Sequence, residues 1–337
     1  MRTSERPKKT TIPTEASVNE PIQIHEIAKD AGRLGRDIAS MLSGTLVDLE
    51  KVIEQVVMAT IAGGHVLLEG VPGTAKTTLC RSLGTVLGMD YRRIQFTPDL
   101  LPSDVTGTKI FNQTRAEFVL QPGPIFCQLL LADELNRAPA RTQSALLEAM
   151  QESQVTIEGE TLALPSPFIV LATQNPVEQE GVYRLPEAQL DRFMFRVRVG
   201  YPQRAGEIEL LELQEAPQKP VTKVCGPEQI LRLQKFVDTV HSSNELKAYV
   251  VDLIRATRQH REVLLGASPR AGIYMLRAAR ARALLRGNTF CTHEDVQAVV
   301  HPVLEHRVIM RPEAELSGRD ISDVLQQVVK RVPVLEG

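Results

Sequence analysis

The chain has 337 residues, 43% of them apolar and 24% charged, with a net charge of −2. That length suits about two domains with sizeable cores, and the near-neutral balance gives no bulk electrostatic case for nucleic acid or an anionic membrane. No stretch reaches the roughly 18–20 apolar residues of a membrane span, the polar start lacks a signal-peptide core, and four scattered cysteines (Cys80, Cys127, Cys225, Cys291) suggest no metal cluster and fit a reducing, cytoplasmic setting.

Residues 1–21, rich in Thr, Lys, Pro and Glu, read as a disordered tail. Ile22–Ala62 carries helical periodicity (Val47, Leu49, Val52, Ile53, Val56, Val57) and stops at Gly63-Gly64. Strands are then expected at Val66–Glu69, Tyr91–Phe96, Leu129–Ala132, Phe168–Thr173 and Phe193–Val199. Between them fall helices at Thr77–Leu87, Ala140–Glu152 and Pro186–Leu190. This alternation predicts an α/β core over 22–205, a mostly parallel sheet with helices on both faces. Segments 107–124 and 154–164 alternate around polar turns and read as inserted β-hairpins, the second turning at Glu158-Gly159-Glu160. After Gly206 the strand signal vanishes. Helices over 207–215, 227–241, 246–261, 269–286, 293–304 and 319–331 predict an all-helical second domain, 206–337.

Between the first core strand and its helix lies Gly70-Val71-Pro72-Gly73-Thr74-Ala75-Lys76-Thr77-Thr78. A glycine-rich loop running into a helix can cradle a polyphosphate with successive backbone N–H groups and the positive end of the helix dipole. Lys76 would then reach the terminal phosphates and the Thr77 hydroxyl would sit on a magnesium ion. The strict pattern asks for glycine where Ala75 stands. That methyl must be accommodated where the loop enters its helix, and alanine suits a first helical turn. A turn that binds nothing is the plainer alternative.

The run Leu129–Glu134 places two acids at the carboxyl end of a buried strand, where ligands of parallel sheets bind. Asp133 would hold magnesium and Glu134 would polarise an attacking water; simple capping of a strand end is the alternative. Another buried strand ends at Gln174-Asn175-Pro176, and Asn175 would orient that water or touch the terminal phosphate, unless Asn-Pro merely makes a turn. Arg192 closes the short helix before the last strand. In an isolated molecule it would pair with Asp191 or Glu187; in a ring it would point at a neighbour's nucleotide as a finger in trans. Ser268-Pro269 reads as a cap and first turn, so that Arg270 projects from a helix start towards the phosphates or stays a surface arginine.

Taken in order, these runs resemble the MoxR family of AAA+ ATPases, from near Gly44 to Val332. The matching runs are 63–73, 93–104, 132–139, 143–152, 172–176 and 185–193. The resemblance implies an AAA+ P-loop core with a helical lid, ATP and magnesium as ligands, and alanine at position 75 as a family mark. It assigns Lys76 and Thr77 to Walker A, Asp133 and Glu134 to Walker B, Asn175 to sensor 1, Arg192 to the finger and Arg270 to sensor 2. The hairpins are similar to the helix-2 insert and pre-sensor hairpin, which in related rings face pore or substrate. Members commonly carry a Val-Gly-Gln run before the loop; here Leu42-Ser43-Gly44-Thr45-Leu46 stands in its place, and no adenine contact is assigned. The implied activity is ATP hydrolysis at a core–lid cleft in a ring, expected to be a hexamer. Its motion would remodel, mature or metal-activate a protein complex, often with a separate von Willebrand factor A-domain partner. A DNA-directed ring motor and a slow nucleotide-gated binding module are the alternatives.

Overall fold

The computed structural model describes residues 20–175, 182–215 and 220–334; most of the expected N-terminal tail and Pro176 lie outside them. Two helices open the described chain, α1 (Glu20–Ser43) and α2 (Glu50–Ile61). The core then runs β1 (Val66–Glu69), α3 (Lys76–Leu87), β2 (Tyr91–Gln95), α4 (Pro102–Thr106), β3 (Gly107–Asn112), β4 (Glu117–Pro122) and β5 (Leu129–Asp133). It continues through α5 (Ala140–Glu152), β6 (Gln154–Ile157), β7 (Glu160–Ala163), β8 (Ile169–Gln174), α6 (Glu187–Leu190) and β9 (Phe195–Arg198).

The five long-range strands form one parallel sheet in the order β2-β5-β8-β1-β9. Strands β1 and β5 are buried at every position, as expected of apolar runs covered on both faces. The register sets Glu69 opposite Gln174 and Gln95 opposite Asp133, so the polar strand ends gather at one carboxyl edge. β3–β4 and β6–β7 are separate antiparallel hairpins. The second turns at Glu158 and Gly159, both left-handed (φ 49° and 85°), the backbone a two-residue hairpin turn needs.

Beyond the core come α7 (Arg204–Glu215), α8 (Pro227–Val237), α9 (Asn244–Gln259), β10 (Val263–Leu265), α10 (Pro269–Leu285), α11 (His293–Leu304), β11 (Ile309–Met310), α12 (Pro312–Leu316) and α13 (Ile321–Arg331). The second domain is helical, yet it also holds the antiparallel ribbon β10–β11. Strands this short carry too few alternating positions to stand out from flanking helices. The helix expected to run to residue 241 stops at Val237, after which His241 bridges to Phe290.

The sheet separates two buried clusters. One face packs against α4, α5 and the hairpin strand β6, around Phe96, Leu130, Leu146 and Val170. On the other face Val66, Leu68, Leu79 and Leu83 share a continuous core with α1, α2 and helices of the second domain, through Ile38, Ile53, Met275 and Ala279. Gly32 of α1 sits where an added Cβ would lie 2.9 Å from the Gly287 nitrogen, so helix and second domain touch backbone to backbone there. All four cysteines are free and buried; burial pushes Cys127 and Cys291 up to about 12 and Cys225 up to about 11.

Candidate functional site: a phosphate-loop cleft and an arginine junction

A cleft of about 370 Å³ opens at the carboxyl edge of the sheet. It is lined by Gly70, residues 72–78, Asp133, Glu134, Thr173, Gln174 and Asn175. The loop, both acids and the strand-end amide thus converge, and every lining residue comes from the α/β core rather than from a core–lid cleft. Val71 joins through its carbonyl.

Gly70 has no substitute here: a Cβ would meet the Val199 carbonyl oxygen at 2.2 Å, because the loop leaves β1 hard against the end of β9. Gly73 has φ 81°. Ala75 does not occupy a first helical turn. It precedes α3 as a left-handed residue (φ 57°, ψ 16°), the conformation glycine takes freely and an L-residue adopts at a cost of about 1–2 kcal/mol. The alanine therefore keeps the backbone shape of the glycine it replaces, under strain. Lys76 folds back on the loop: its Nζ donates to the Gly70 and Val71 carbonyls (2.8 and 2.6 Å) and to Thr74 Oγ1 (3.1 Å). Burial lowers its pKa, while Asp133 and Glu134 oppose that shift.

Thr77 Oγ1 donates to Asp133 Oδ2 over 3.5 Å. Hard oxygen donors of this kind, on a helix start and a strand end, suit magnesium shared with phosphate oxygens. Residues that motif reading passed over complete the arrangement. Thr173 Oγ1 donates to Asp133 Oδ1 (2.6 Å) and accepts from the Glu134 N–H (2.8 Å), so one hydroxyl sets both acids. Arg93 donates to Asp133 Oδ2 through Nε and Nη2 (3.0 and 2.7 Å), and Gln95 donates to Glu134 Oε2 (2.6 Å). Glu134, itself left-handed (φ 56°, ψ 47°), also pairs with Arg137 at 3.2 Å. Arg93 and Gln95 share one side of β2 at i and i+2. Polar residues in that spacing on a strand beside an acid-ended one are the signal that could have found them. Behind Lys76, Glu69 is held by Gln174 (3.0 Å) and by a short ion pair with Arg196.

Neither of the two remaining arginines lines the cleft. Asp191, an expected partner of Arg192, instead turns its carboxylate to the second domain: Oδ1 accepts from Arg307 Nε at 2.7 Å and Oδ2 lies 3.6 Å from Arg270. Arg270 thus stands beside Asp191 and does not line the phosphate cleft. Ser268 precedes α10, but its Oγ makes no cap and is buried without a partner, so Pro269 starts that helix without side-chain help. His306, from the loop after α11, donates to the Phe193 carbonyl at 3.0 Å; burial holds its pKa well below the ordinary histidine value.

A parallel sheet with a glycine loop after β1, acids at the end of β5 and an amide after β8 defines a phosphate-loop nucleotide-binding protein. Residues 65–195 match the ATPase family associated with various cellular activities, and residues 255–328 match the AAA lid domain. The chain is 42% identical to Chaperone MoxR1 of Mycobacterium tuberculosis over 85% of its own length and 78% of that protein. It is 47% identical to YeaC of Bacillus subtilis, a protein of uncharacterised function, over 82% and 87%. A crystal structure from Cytophaga hutchinsonii, described as a candidate ATPase, superposes with a TM-score of 0.87 at 37% identity, covering 95% of this chain and all of that one. The chain belongs to the MoxR family of AAA+ ATPases.

Proposed function

We propose that this chain hydrolyses ATP with magnesium in a ring of its own copies, a hexamer in the simplest case. The cycle would remodel or mature a protein complex, loading a metal cofactor in some cases. The observation that carries this reading is the convergence of the loop, Thr77, Asp133, Glu134 and Asn175 on one cleft. Thr77 and Asp133 would hold the ion, which supplies charge neutralisation at the phosphoryl oxygens. Lys76 would exchange its loop carbonyls for phosphate oxygens. Glu134, once released by Gln95 and Arg137, would take the proton of the attacking water, and Asn175 would orient that water. Arg192 is not among the residues lining its own cleft, which supports action on a neighbour's site, and Arg270 does not line that cleft either.

The name of the Mycobacterium tuberculosis relative, a chaperone, favours a protein client. The β3–β4 hairpin offers one apolar contact: Phe111 and Phe118 pack edge to face at 5.3 Å while remaining 54% and 67% exposed. A separate von Willebrand factor A-domain partner accompanies this reading by family resemblance. Glu134→Gln should keep binding of a fluorescent ATP analogue and lower steady-state turnover by about 10²–10⁴-fold. Undiminished hydrolysis would remove Glu134 as the base.

A further inference from the structure

We infer that Arg307 and Asp191 form a latch through which the helical domain sets the position of Arg192. This rests on the reading of Arg192 as a finger acting on the neighbouring subunit. The segment Asp191–Met194 links α6 to β9, and it is held from two sides. From the sheet side the Met194 N–H donates to the His65 carbonyl at 2.8 Å. From the second domain comes Arg307, whose side chain is 2% exposed and whose five N–H donors are all spent. Nε takes Asp191 Oδ1 (2.7 Å), Nη2 takes the carbonyls of Asp191 (3.0 Å) and Phe193 (2.6 Å), and Nη1 takes those of Met194 (3.1 Å) and Val303. Tyr274 of α10 covers the guanidinium, 5.0 Å from its ring centre. His306 adds a further bond to the Phe193 carbonyl.

The residues on either side of Arg192 are therefore pinned by two consecutive side chains of the second domain. Arg192 itself has no side-chain hydrogen bond or ion pair among the described residues, so the backbone at 191–193 decides where it points. A buried guanidinium is a poor source of net stability, because its desolvation roughly cancels its attractions. Its fork geometry is what a lysine or an apolar residue cannot supply. Asp191 also faces Arg270 across 3.6 Å, so any movement of α10 or of the loop after α11 bears on one carboxylate next to the finger. Arg307 and Asp191 are positioning residues: they touch no reacting atom of their own subunit's cleft.

Trans-complementation tests this in the full-length protein. Arg307→Lys keeps the charge and loses the fork. Its turnover should fall about 10²-fold, the scale of an ångström-sized misplacement, with KM for ATP changed less than about threefold. Mixed in equal amounts with Glu134→Gln, it should recover about a quarter of wild-type turnover, since half the subunits carry a working site and half the neighbours a held finger. The pair Arg192→Ala with Glu134→Gln serves as control. If the control recovers and the Arg307→Lys mixture stays at its diluted rate, the latch is wrong while the trans finger stands. If the control also fails, the trans reading falls and the latch with it. Unchanged turnover of Arg307→Lys alone overturns the latch directly. Should Arg307→Lys not fold, Asp191→Asn, which removes the charge at constant size, enters the same mixture with the same expectations.

Discussion

The phosphate cleft and the Asp191 junction both gather charged side chains, by opposite means. The cleft is built from runs contiguous in the chain: a loop between β1 and α3, and residues at and just past the carboxyl ends of β5 and β8. A parallel sheet brings those ends together whatever the details of packing. The junction joins Asp191 to an arginine 116 positions later and to Arg270, and it exists only because the second domain closes over the sheet edge. Local pattern can therefore announce a nucleotide site, while a coupling device between domains leaves almost no local mark. Arg307 lies in a mixed stretch, Leu304-Glu305-His306-Arg307-Val308-Ile309, where three polar residues in a row read as a solvated turn after a helix.

Perturbing each region sharpens that contrast. The largest effect falls on the loop. Gly70→Ala must move either the loop or the Val199 carbonyl, costing about 1–3 kcal/mol as overpacking does, and nucleotide affinity should drop with it. A thermal melt with and without ATP checks both, and an unaltered ATP-induced shift would contradict the close approach. Next is Thr173→Val, of equal shape, which leaves the Glu134 N–H and Asp133 Oδ1 without their shared partner. It should cost about 1–3 kcal/mol and reduce turnover more than ATP binding. Equal losses in both would mean that Thr173 merely supports the fold.

Stability answers to pH through two buried histidines, one of them at the junction. His306 is held neutral by burial and by the neighbouring Arg307; His65, donating to the Met150 carbonyl and accepting from Val170, is pushed down to about 4. Both folded pKa values lie below the unfolded value of about 6.5. The unfolded chain then binds protons first, so stability is full above that pH and declines as pH falls towards 4. The slope is at most about 1.4 kcal/mol per pH unit per histidine. Urea midpoints at pH 7.5 and 5 measure this, and His306→Gln should flatten the slope; a midpoint indifferent to pH would show the histidines to be solvated. The smallest effect is Ala75→Gly. Relief of left-handed strain opposes the extra freedom of the unfolded glycine, and the net change should stay within about 1 kcal/mol with ATP binding retained. A large loss would mean that the methyl makes a contact the site needs.

The expected strands and helices of the core coincide with the structure to within two residues at most ends, because buried apolar strands and amphipathic helices declare themselves over a few residues. What stayed hidden was short or non-local: the β10–β11 ribbon, the hydroxyl of Thr173 under two acids, and the partners of Asp191.

By itself, the sequence determined the class of fold, the phosphate loop with its alanine, and the order of acids, amide and arginines. Each of these rests on residues within one turn or strand of one another. Only the tertiary structure decided that Ala75 is left-handed, that Arg270 stands with Asp191 rather than over the loop, and that Arg307 pins the backbone around Arg192. Those outcomes depend on how the helical domain seats against the sheet, and that seating is a sum over a whole buried interface that no short segment encodes.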